Sequence, residues 1–251
     1  MSNGRISLDI IGKVATVEFY HPASNSLPSK LLSELSECFV KLSLNEDITV
    51  IVLMSDGEKT FCAGASLDEL MAIENIEDGK SFFMGFARVI NAMRSCNKPI
   101  IGRIQGRAVG GGVGLIAACD LAFATDMAAV KLSELSIGIG PFVIAPAVER
   151  KIGVSGLASL SLNPTQWKNA YWGQKTGLYT DVFDSIEVLN KKVNELSEDL
   201  SKSNPEALRE MKNMLWENTD HWEKLLAKRA ALSGKLVLSD FTRKALQKFK
   251  K

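Results

Sequence analysis

The sequence QGRAVGGGVGLIAACD, at residues 105–120, joins an apolar run to a cluster of glycines. The apolar residues 100–104 before it predict a buried strand, and the small apolar residues at its end predict a buried helix. Adjacent glycines permit a sharp turn and the close approach of another molecule, while the first N–H groups of a helix stay unpaired. The stretch therefore predicts a corner that can stabilise a developing oxyanion.

The same glycines are compatible with two further roles. They can serve only the close packing of a helix on a sheet. Alternatively, residues 112–117 fit the dinucleotide-binding pattern G-x-G-x-x-A, with Glu134 near the distance at which an acidic residue binds ribose. A nucleotide-binding domain normally carries this pattern in its first βα turn, whereas here it lies mid-chain.

The composition is that of a globular protein with balanced charge. The chain has 251 residues, of which 46% are hydrophobic, and 30 basic against 29 acidic side chains give a net charge of +1. This balance does not favour nucleic acid or an anionic membrane as a partner. No apolar run reaches the ~18 residues of a membrane span, and no secretory signal is evident, so we expect a cytoplasmic location.

Cysteine and histidine usage points away from metal or thiol chemistry. The four cysteines form no C-x-x-C pair and predict reduced, buried thiols, and two histidines do not favour a metal site. A thiol hydrolase or acyltransferase would need Cys62 as nucleophile beside His21. Nothing in the sequence brings these two residues together, so a small buried thiol is the preferred interpretation of Cys62.

Strand and helix patterns alternate through most of the chain. Residues 28–44 have the spacing of an amphipathic helix, and residues 49–54 resemble a strand that is covered on both faces. This alternation, after an N-terminal hairpin, predicts an α/β fold with parallel strands. Because no strand pattern remains from about residue 186, we divide the chain into a core, residues 1–185, and a C-terminal helical region, residues 186–251.

Four segments together resemble the crotonase superfamily, the enoyl-CoA hydratases and isomerases. They are residues 59–70, 106–120, 133–138 and 170–183, and they occur in the order typical of the family. The resemblance implies a spiral core of ββα turns and a C-terminal helical trimerisation region. It also implies an acyl-CoA thioester as substrate, a homotrimer or hexamer, and no cofactor apart from the coenzyme A of the substrate.

The resemblance assigns two oxyanion donors, the backbone N–H groups of Ala65 and Gly111. Such a pair can polarise a thioester carbonyl and hold an enolate, and losing one donor typically costs about 3 to 4 kcal/mol of transition-state stabilisation. Contacts with coenzyme A fall on Ala63, Ala65 and Leu67. Ser66 stands where the family usually has Asp.

Further binding residues follow from the same resemblance. Phe241 and Lys244 match residues that reach the coenzyme A of a neighbouring subunit in hydratases, although a solvated basic tail at residues 243–251 is the slightly preferred interpretation. Phe142 and Val143 are expected in the acyl pocket, with core packing as the alternative. A nearby helix face packs in the core or lines the acyl chain; it carries Phe82, Phe83, Met84 and Phe86.

One of the two carboxylates of the family's hydratases is present. Those enzymes hold water between two Glu side chains, and the second of these also handles the proton at the α carbon. The second falls on Glu134, for which a surface carboxylate is the plain alternative. The first falls on Gly114, which has no side chain to bind water.

This pattern leaves three functions open. We predict an enoyl-CoA hydratase, nearest to the 3-methylglutaconyl-CoA-type hydratases, which residues 138–146 and Gly114 resemble. The first alternative is an enoyl-CoA double-bond isomerase that moves a proton between carbons with Glu134 alone. The second is a non-catalytic acyl-CoA-binding protein, because the missing carboxylate is what a decayed enzyme would show.

Overall fold

The computed structural model describes residues 4–248. Its strands are β1 (Arg5–Ile11), β2 (Val14–Tyr20), β3 (Val50–Ser55), β4 (Thr60–Cys62), β5 (Ile100–Ile104), β6 (Arg107–Val109), β7 (Leu121–Thr125), β8 (Ala129–Lys131), β9 (Lys168–Asn169) and β10 (Asp181–Phe183). Its helices are α1 (Ser29–Leu44), α2 (Leu67–Met71), α3 (Ile76–Ser95), α4 (Gly111–Ala118), α5 (Ala145–Ser161), α6 (Ala170–Thr176), α7 (Ile186–Ser201), α8 (Pro205–Leu215), α9 (Trp222–Leu236) and α10 (Asp240–Gln247). A 3₁₀ turn spans Glu134–Ile137.

The strands form two sheets. The larger has the order β1-β2-β3-β5-β7-β10, and the smaller has the order β4-β6-β8-β9. Strand pairs are parallel except for the hairpin β1–β2 and the pair β8–β9. The predicted α/β class and N-terminal hairpin are confirmed.

The chain winds between the sheets in a repeated order. A strand of the larger sheet is followed by one of the smaller sheet and then by a helical segment, as in β3–β4–α2 and β5–β6–α4. This is the predicted spiral of ββα turns. Because β4, β6 and β8 are parallel neighbours, the segments that follow them emerge at the same edge of the smaller sheet, a common place for ligand sites.

Strand β3 shows why the larger sheet needs helices on both faces. Alternate side chains of a strand point to opposite faces, and Ile51 and Leu53 pack into the main core with α1 and α3. Val50 and Val52 point the other way and pack against Leu189 of α7. The prediction of a strand covered on both faces is therefore confirmed.

Strand β6 is a feature that the sequence did not predict. The sequence pattern leads residues 105–110 directly from β5 into the glycine corner, but the chain first turns out of the larger sheet. Glycine at position 106 permits this turn. The backbone there packs against the carbonyl oxygen of Lys59, and the Cβ of any other residue would clash with it. Strand β6 then pairs with β4 and β8.

The four C-terminal helices pack on the rest of the chain. Helix α9 crosses α3 so closely that a Cβ on Gly79 would lie 2.8 Å from the Cα of Gly234. On α8, the buried ammonium group of Lys212 contacts the carboxylate of Asp120 at 2.7 Å. Truncating one partner of a buried ion pair typically costs about 3 to 5 kcal/mol, so this contact fixes α8 to the core.

The division of the chain after residue 185 stays a prediction, as does trimerisation. Helix α7 begins at Ile186, directly after that boundary, yet α7 and α9 share hydrophobic clusters with the preceding strands and helices.

Residues 4–248 contain neither a membrane-spanning helix nor a cluster of metal ligands. None of the helices in this range is long and apolar enough to cross a membrane. The same residues contain no group of three or more His, Cys, Asp or Glu side chains that could hold a metal ion.

Candidate active site

The segments after β4, β6 and β8 surround a cavity of about 550 Å³. Ala65, Gly111 and Glu134 all line it, each from a different segment. Its volume is in the usual range for small-molecule sites. The apolar part of the lining consists largely of Leu70, Phe82, Phe83, Phe86, Ile137, Ile139, Phe142, Val143 and Ile144.

The glycine corner brings the two predicted donors together. Gly64 and Gly110 have φ angles of 89° and 53°, which favour glycine. A Cβ on Gly64 would lie 2.9 Å from the carbonyl oxygen of Val109 and 3.6 Å from the backbone nitrogen of Gly111, so the two loops touch. The N–H groups of Ala65 and Gly111 have no hydrogen-bond acceptor within residues 4–248 and remain free for a ligand.

The carboxylate of Glu134 lies against this corner. A Cβ on Gly110 would be only 2.9 Å from Oε1 of Glu134. The other oxygen, Oε2, is buried and has no hydrogen-bond partner among the residues described. Burial raises the pKa of Glu134 to about 7, because the charged form loses its hydration. The carboxyl group can therefore accept or donate a proton near neutral pH.

Gly114 does not line the cavity, contrary to its predicted place in the site. It is buried inside α4, and a Cβ there would lie 2.5 Å from Cγ2 of Ile144 and 3.5 Å from Cδ1 of Ile90. Ile144 itself lines the cavity. An aliphatic side chain thus packs directly against position 114, and Ile144 would have to move to admit any side chain there.

Comparison with known proteins identifies the family. Residues 9–251 match the sequence profile described as "Enoyl-CoA hydratase/isomerase". The chain belongs to the enoyl-CoA hydratase/isomerase family. The resemblance to the crotonase superfamily is thereby confirmed, and the likeness to 3-methylglutaconyl-CoA-type hydratases stays a prediction.

Individual relatives agree with this membership in the family. The chain is 28% identical over 249 residues to a "Probable enoyl-CoA hydratase" of Bacillus subtilis (strain 168), covering 97% of this chain and 95% of the relative. It is 29% identical over 192 residues to the "Short-chain-enoyl-CoA hydratase" of Clostridium acetobutylicum, covering 76% and 73%. The crystal structure of an enoyl-CoA hydratase from Mycobacterium avium superposes with a TM-score of 0.84 at 25% identity, covering 98% and 95%.

Membership in the hydratase/isomerase family also resolves the first ambiguity of the sequence. The pattern at residues 112–117 follows β6 of the smaller sheet, and does not lie in a first βα turn as in a dinucleotide-binding domain.

The segment expected to bind coenzyme A lies at one end of the cavity. Ala63, Ala65 and Leu67 all line it. The departure from the family pattern at Ser66 has a structural use, because Ser66 Oγ accepts a hydrogen bond from the N–H of Glu69 and caps α2. Ser and Asp are comparable helix caps, so this exchange preserves the start of α2.

Phe241 and Lys244 do not line the cavity. They lie on α10, which packs on the 3₁₀ turn of Glu134, and the ring of Phe241 covers Gly138. Phe241 is nevertheless 65% exposed, and Lys244 is also exposed. Their predicted reach toward a neighbouring subunit stays a prediction.

The expected pocket walls are present with one exception. Phe142, Val143, Phe82, Phe83 and Phe86 line the cavity, and the ring of Phe86 lies against Gly111. Met84 instead packs against the hydrophobic core. Four further lining residues carry no local sequence pattern that would mark them, because they come from segments far apart in the chain; they are Ser26, Ile139, Ile144 and Ser233.

Cys62 is unsuited to be a nucleophile. It is buried outside the cavity lining, and burial raises the pKa of its thiol to about 12. A thiolate is the reactive form of cysteine, so almost none is available near neutral pH. His21 does line the cavity, but its Nδ1 pairs with the hydroxyl group of Ser26, whose Oγ lies 3.1 Å away.

Proposed function

We propose that this enzyme hydrates a 2-enoyl-CoA thioester, with Glu134 as its one acid–base group. The observation that carries the proposal is the common cavity of Glu134, Ala65 and Gly111, in which a buried carboxyl group faces two free N–H groups. Relatives named as enoyl-CoA hydratases support the choice of reaction. The thioester carbonyl oxygen would lie between the two N–H groups.

The reaction would pass through one enolate. A water molecule attacks C3 while the Glu134 carboxylate accepts its proton. The π electron pair of C2=C3 then forms a C1=C2 double bond, and the carbonyl π pair moves onto the thioester oxygen to give the enolate. The N–H groups of Ala65 and Gly111 stabilise that charge. Glu134 then returns the proton to C2 and the carbonyl reforms, so one molecule of water has been added.

The pKa of Glu134 suits this double role. A group with a pKa near the working pH is present in both protonation states and exchanges protons with little driving force in either direction. The ionised form accepts the first proton and predominates above about pH 7. We therefore expect kcat/KM to increase as pH rises through about 7 and then to become constant.

Double-bond isomerisation is the second candidate, and the position of Ile144 favours it. Because Ile144 fills the space beside Gly114, the glycine corner has a single carboxylate among the residues described and no second one to hold water. Isomerisation needs only one: Glu134 would remove a proton from C2 of a 3-enoyl-CoA and return it to C4 through the same enolate.

A substrate panel followed by NMR in deuterated water separates these functions. Hydration predicts loss of the conjugated-thioester absorbance of crotonyl-CoA or 3-methylglutaconyl-CoA and one deuterium at C2 of the 3-hydroxyacyl product. Isomerisation predicts that 3-enoyl-CoA gains this absorbance and that no hydroxyl group forms. Binding of these esters without either change would instead support a non-catalytic acyl-CoA-binding protein.

The remaining parts of the proposal concern binding and assembly. We propose that coenzyme A enters as part of the substrate, with no separate cofactor, along Ala63 and Leu67. We also propose a cytoplasmic homotrimer or hexamer in which Phe241 and Lys244 contact a neighbour's coenzyme A. Light scattering measures the mass, and Lys244→Ala should raise KM for acyl-CoA; a monomer with unchanged KM would contradict the assembly.

A further inference from the structure

The apolar wall of the cavity contains one hydroxyl group that the proposed reaction does not use. Ser233 on α9 lines the cavity and is only 1% exposed. Its Oγ has no hydrogen-bond partner within residues 4–248. An unpaired buried hydroxyl is unfavourable, so its retention at a ligand cavity points to a partner on the ligand.

A helical serine has an easy way to satisfy its hydroxyl group, which Ser233 does not use. The hydroxyl can donate to the carbonyl oxygen four residues earlier in the helix. Ser197 on α7, also buried, donates in this way to the carbonyl oxygen of Val193 at 2.7 Å. Ser233 makes no such bond.

The neighbours of Ser233 on α9 place it against the acyl wall. One turn earlier, the guanidinium group of Arg229 donates to the carbonyl oxygen of Phe142 at 3.2 Å. One turn later, Val237 belongs to the same buried cluster as Phe82 and Ile139. The other polar side chains of the described lining come from the loop after β2, from residues 66–68 or from the turn that carries the acid; these are His21, Ser26, Ser66, Asp68, Ser133 and Glu134.

We propose that Ser233 donates a hydrogen bond to an oxygen atom on the acyl group of the substrate. The cavity would then prefer acyl-CoA substrates that carry a hydroxyl, carbonyl or carboxyl oxygen there over hydrocarbon chains of equal length. This inference rests on the proposed function and specifies the substrate class of the same site.

Matched substrate pairs test the preference. A series of 2-enoyl-CoA esters of increasing length is prepared with a methyl end, a hydroxyl end or a carboxyl end. Ser233→Ala should lower kcat/KM about tenfold for the best hydroxyl-ended ester. The loss should be larger for the carboxyl-ended ester of the same length, because a hydrogen bond to a charged group is stronger. The methyl-ended ester should change by no more than about twofold.

Ser161→Ala is the matched control. Ser161, at the end of α5, also has a buried Oγ without a partner among the residues described, but it does not line the cavity. Its substitution should leave the ratio between the paired esters unchanged. Ser233→Ala should unfold no earlier than the wild type, because its hydroxyl has no hydrogen bond to lose within residues 4–248.

The outcomes separate this inference from the proposed reaction. If turnover is present and Ser233→Ala affects both members of a pair equally, Ser233 serves packing and the inference is wrong. If the wild type turns over none of the esters, calorimetric Kd values for the same pairs decide. If the wild type binds the oxygen-bearing ester more tightly than its methyl-ended partner and Ser233→Ala loses this preference, the inference holds although the proposed reaction fails. If the wild type binds both members of a pair with the same Kd, both the inference and the proposed reaction are wrong.

Discussion

The two ends of the cavity are constructed by different means. At the end proposed to hold the thioester, here called the thioester end, the site is formed by the backbone: Gly64 and Gly110 adopt positive φ angles, and the N–H groups of Ala65 and Gly111 are unpaired within residues 4–248. At the acyl end, side chains form the surface, and they come from α3, from residues 139–144 and from α9. The first end depends on backbone geometry in loops that meet at two glycines, and the second depends on which side chains the surrounding elements present.

This difference separates reaction from substrate choice. Backbone donors tolerate little change, because a shift of either loop moves its N–H group away from the single oxygen atom that both groups are proposed to bind. The acyl end can exchange one side chain for another, as the contact of Ile144 with Gly114 shows. Substitutions at the thioester end should therefore affect turnover, and those at the acyl end should affect substrate preference or stability.

The largest effect is expected from Glu134→Gln. The amide keeps the shape but cannot accept a proton, so kcat/KM should fall about 10³-fold while the Kd for acyl-CoA stays within a few-fold. Steady-state kinetics and calorimetry measure the two quantities. Glu149→Gln, at an exposed position on α5, is the control. Full activity of Glu134→Gln would remove Glu134 from the mechanism.

A matched pair of glycine substitutions tests the thioester end. Gly110 and Gly12 both have positive φ angles, 53° and 58°, but only a Cβ at Gly110 would meet the Glu134 carboxylate, since Gly12 faces open space. Both alanine variants should lose about 1 to 2 kcal/mol of stability. Only Gly110→Ala should also lose about 10²-fold in kcat.

Denaturant unfolding and single-turnover kinetics measure these two effects. Equal activity in both variants would show that the corner is merely a tight turn.

The pH dependence of stability tests the burial of Glu134. Because its pKa is raised from 4.5 to about 7, the folded protein retains a proton that the unfolded chain releases. Wild-type stability should therefore decrease as pH rises from about 4.5 to about 7, with no further loss above. Glu134→Gln should be more stable than the wild type by up to about 3 kcal/mol near pH 8.

Urea denaturation of both proteins near pH 4 and pH 8 provides the comparison. The two should be equally stable near pH 4, where Glu134 is protonated in both states. A constant difference between them at both pH values would mean that the carboxyl group is solvated.

The smallest effect is expected at Gly114, which lies behind the cavity wall against Ile144. Gly114→Ala overpacks the contact with Ile144 and should cost about 1 to 3 kcal/mol of stability with little change in kcat. Ile144→Ala removes Cγ2, so the double variant Gly114→Ala/Ile144→Ala should be about 1 kcal/mol more stable than the sum of the two single effects predicts. Ile144→Val retains Cγ2, so its double variant with Gly114→Ala should show no such gain. Thermal unfolding of the three single and two double variants measures this coupling, and strict additivity would refute the contact.

The same division explains what the sequence could predict. The glycines of residues 106–114 mark the thioester end because backbone geometry leaves a local signature, and Glu134 follows from the resemblance in the next segment. Strand β6 was missed because three residues carry too little periodicity. Ser233 and Ile144 were missed because a position in a cavity depends on how α9 and the start of α5 pack, which no local pattern encodes.

The contact of α10 with the 3₁₀ turn of Glu134 has a consequence for biosynthesis. Gly138, which ends that turn, is covered by Phe241 and Thr242. The 3₁₀ turn is synthesised about 100 residues before α10. A nascent chain therefore contains Glu134 before α10 can pack on its turn. Activity should therefore arise only after α10 has been synthesised and has packed on the 3₁₀ turn.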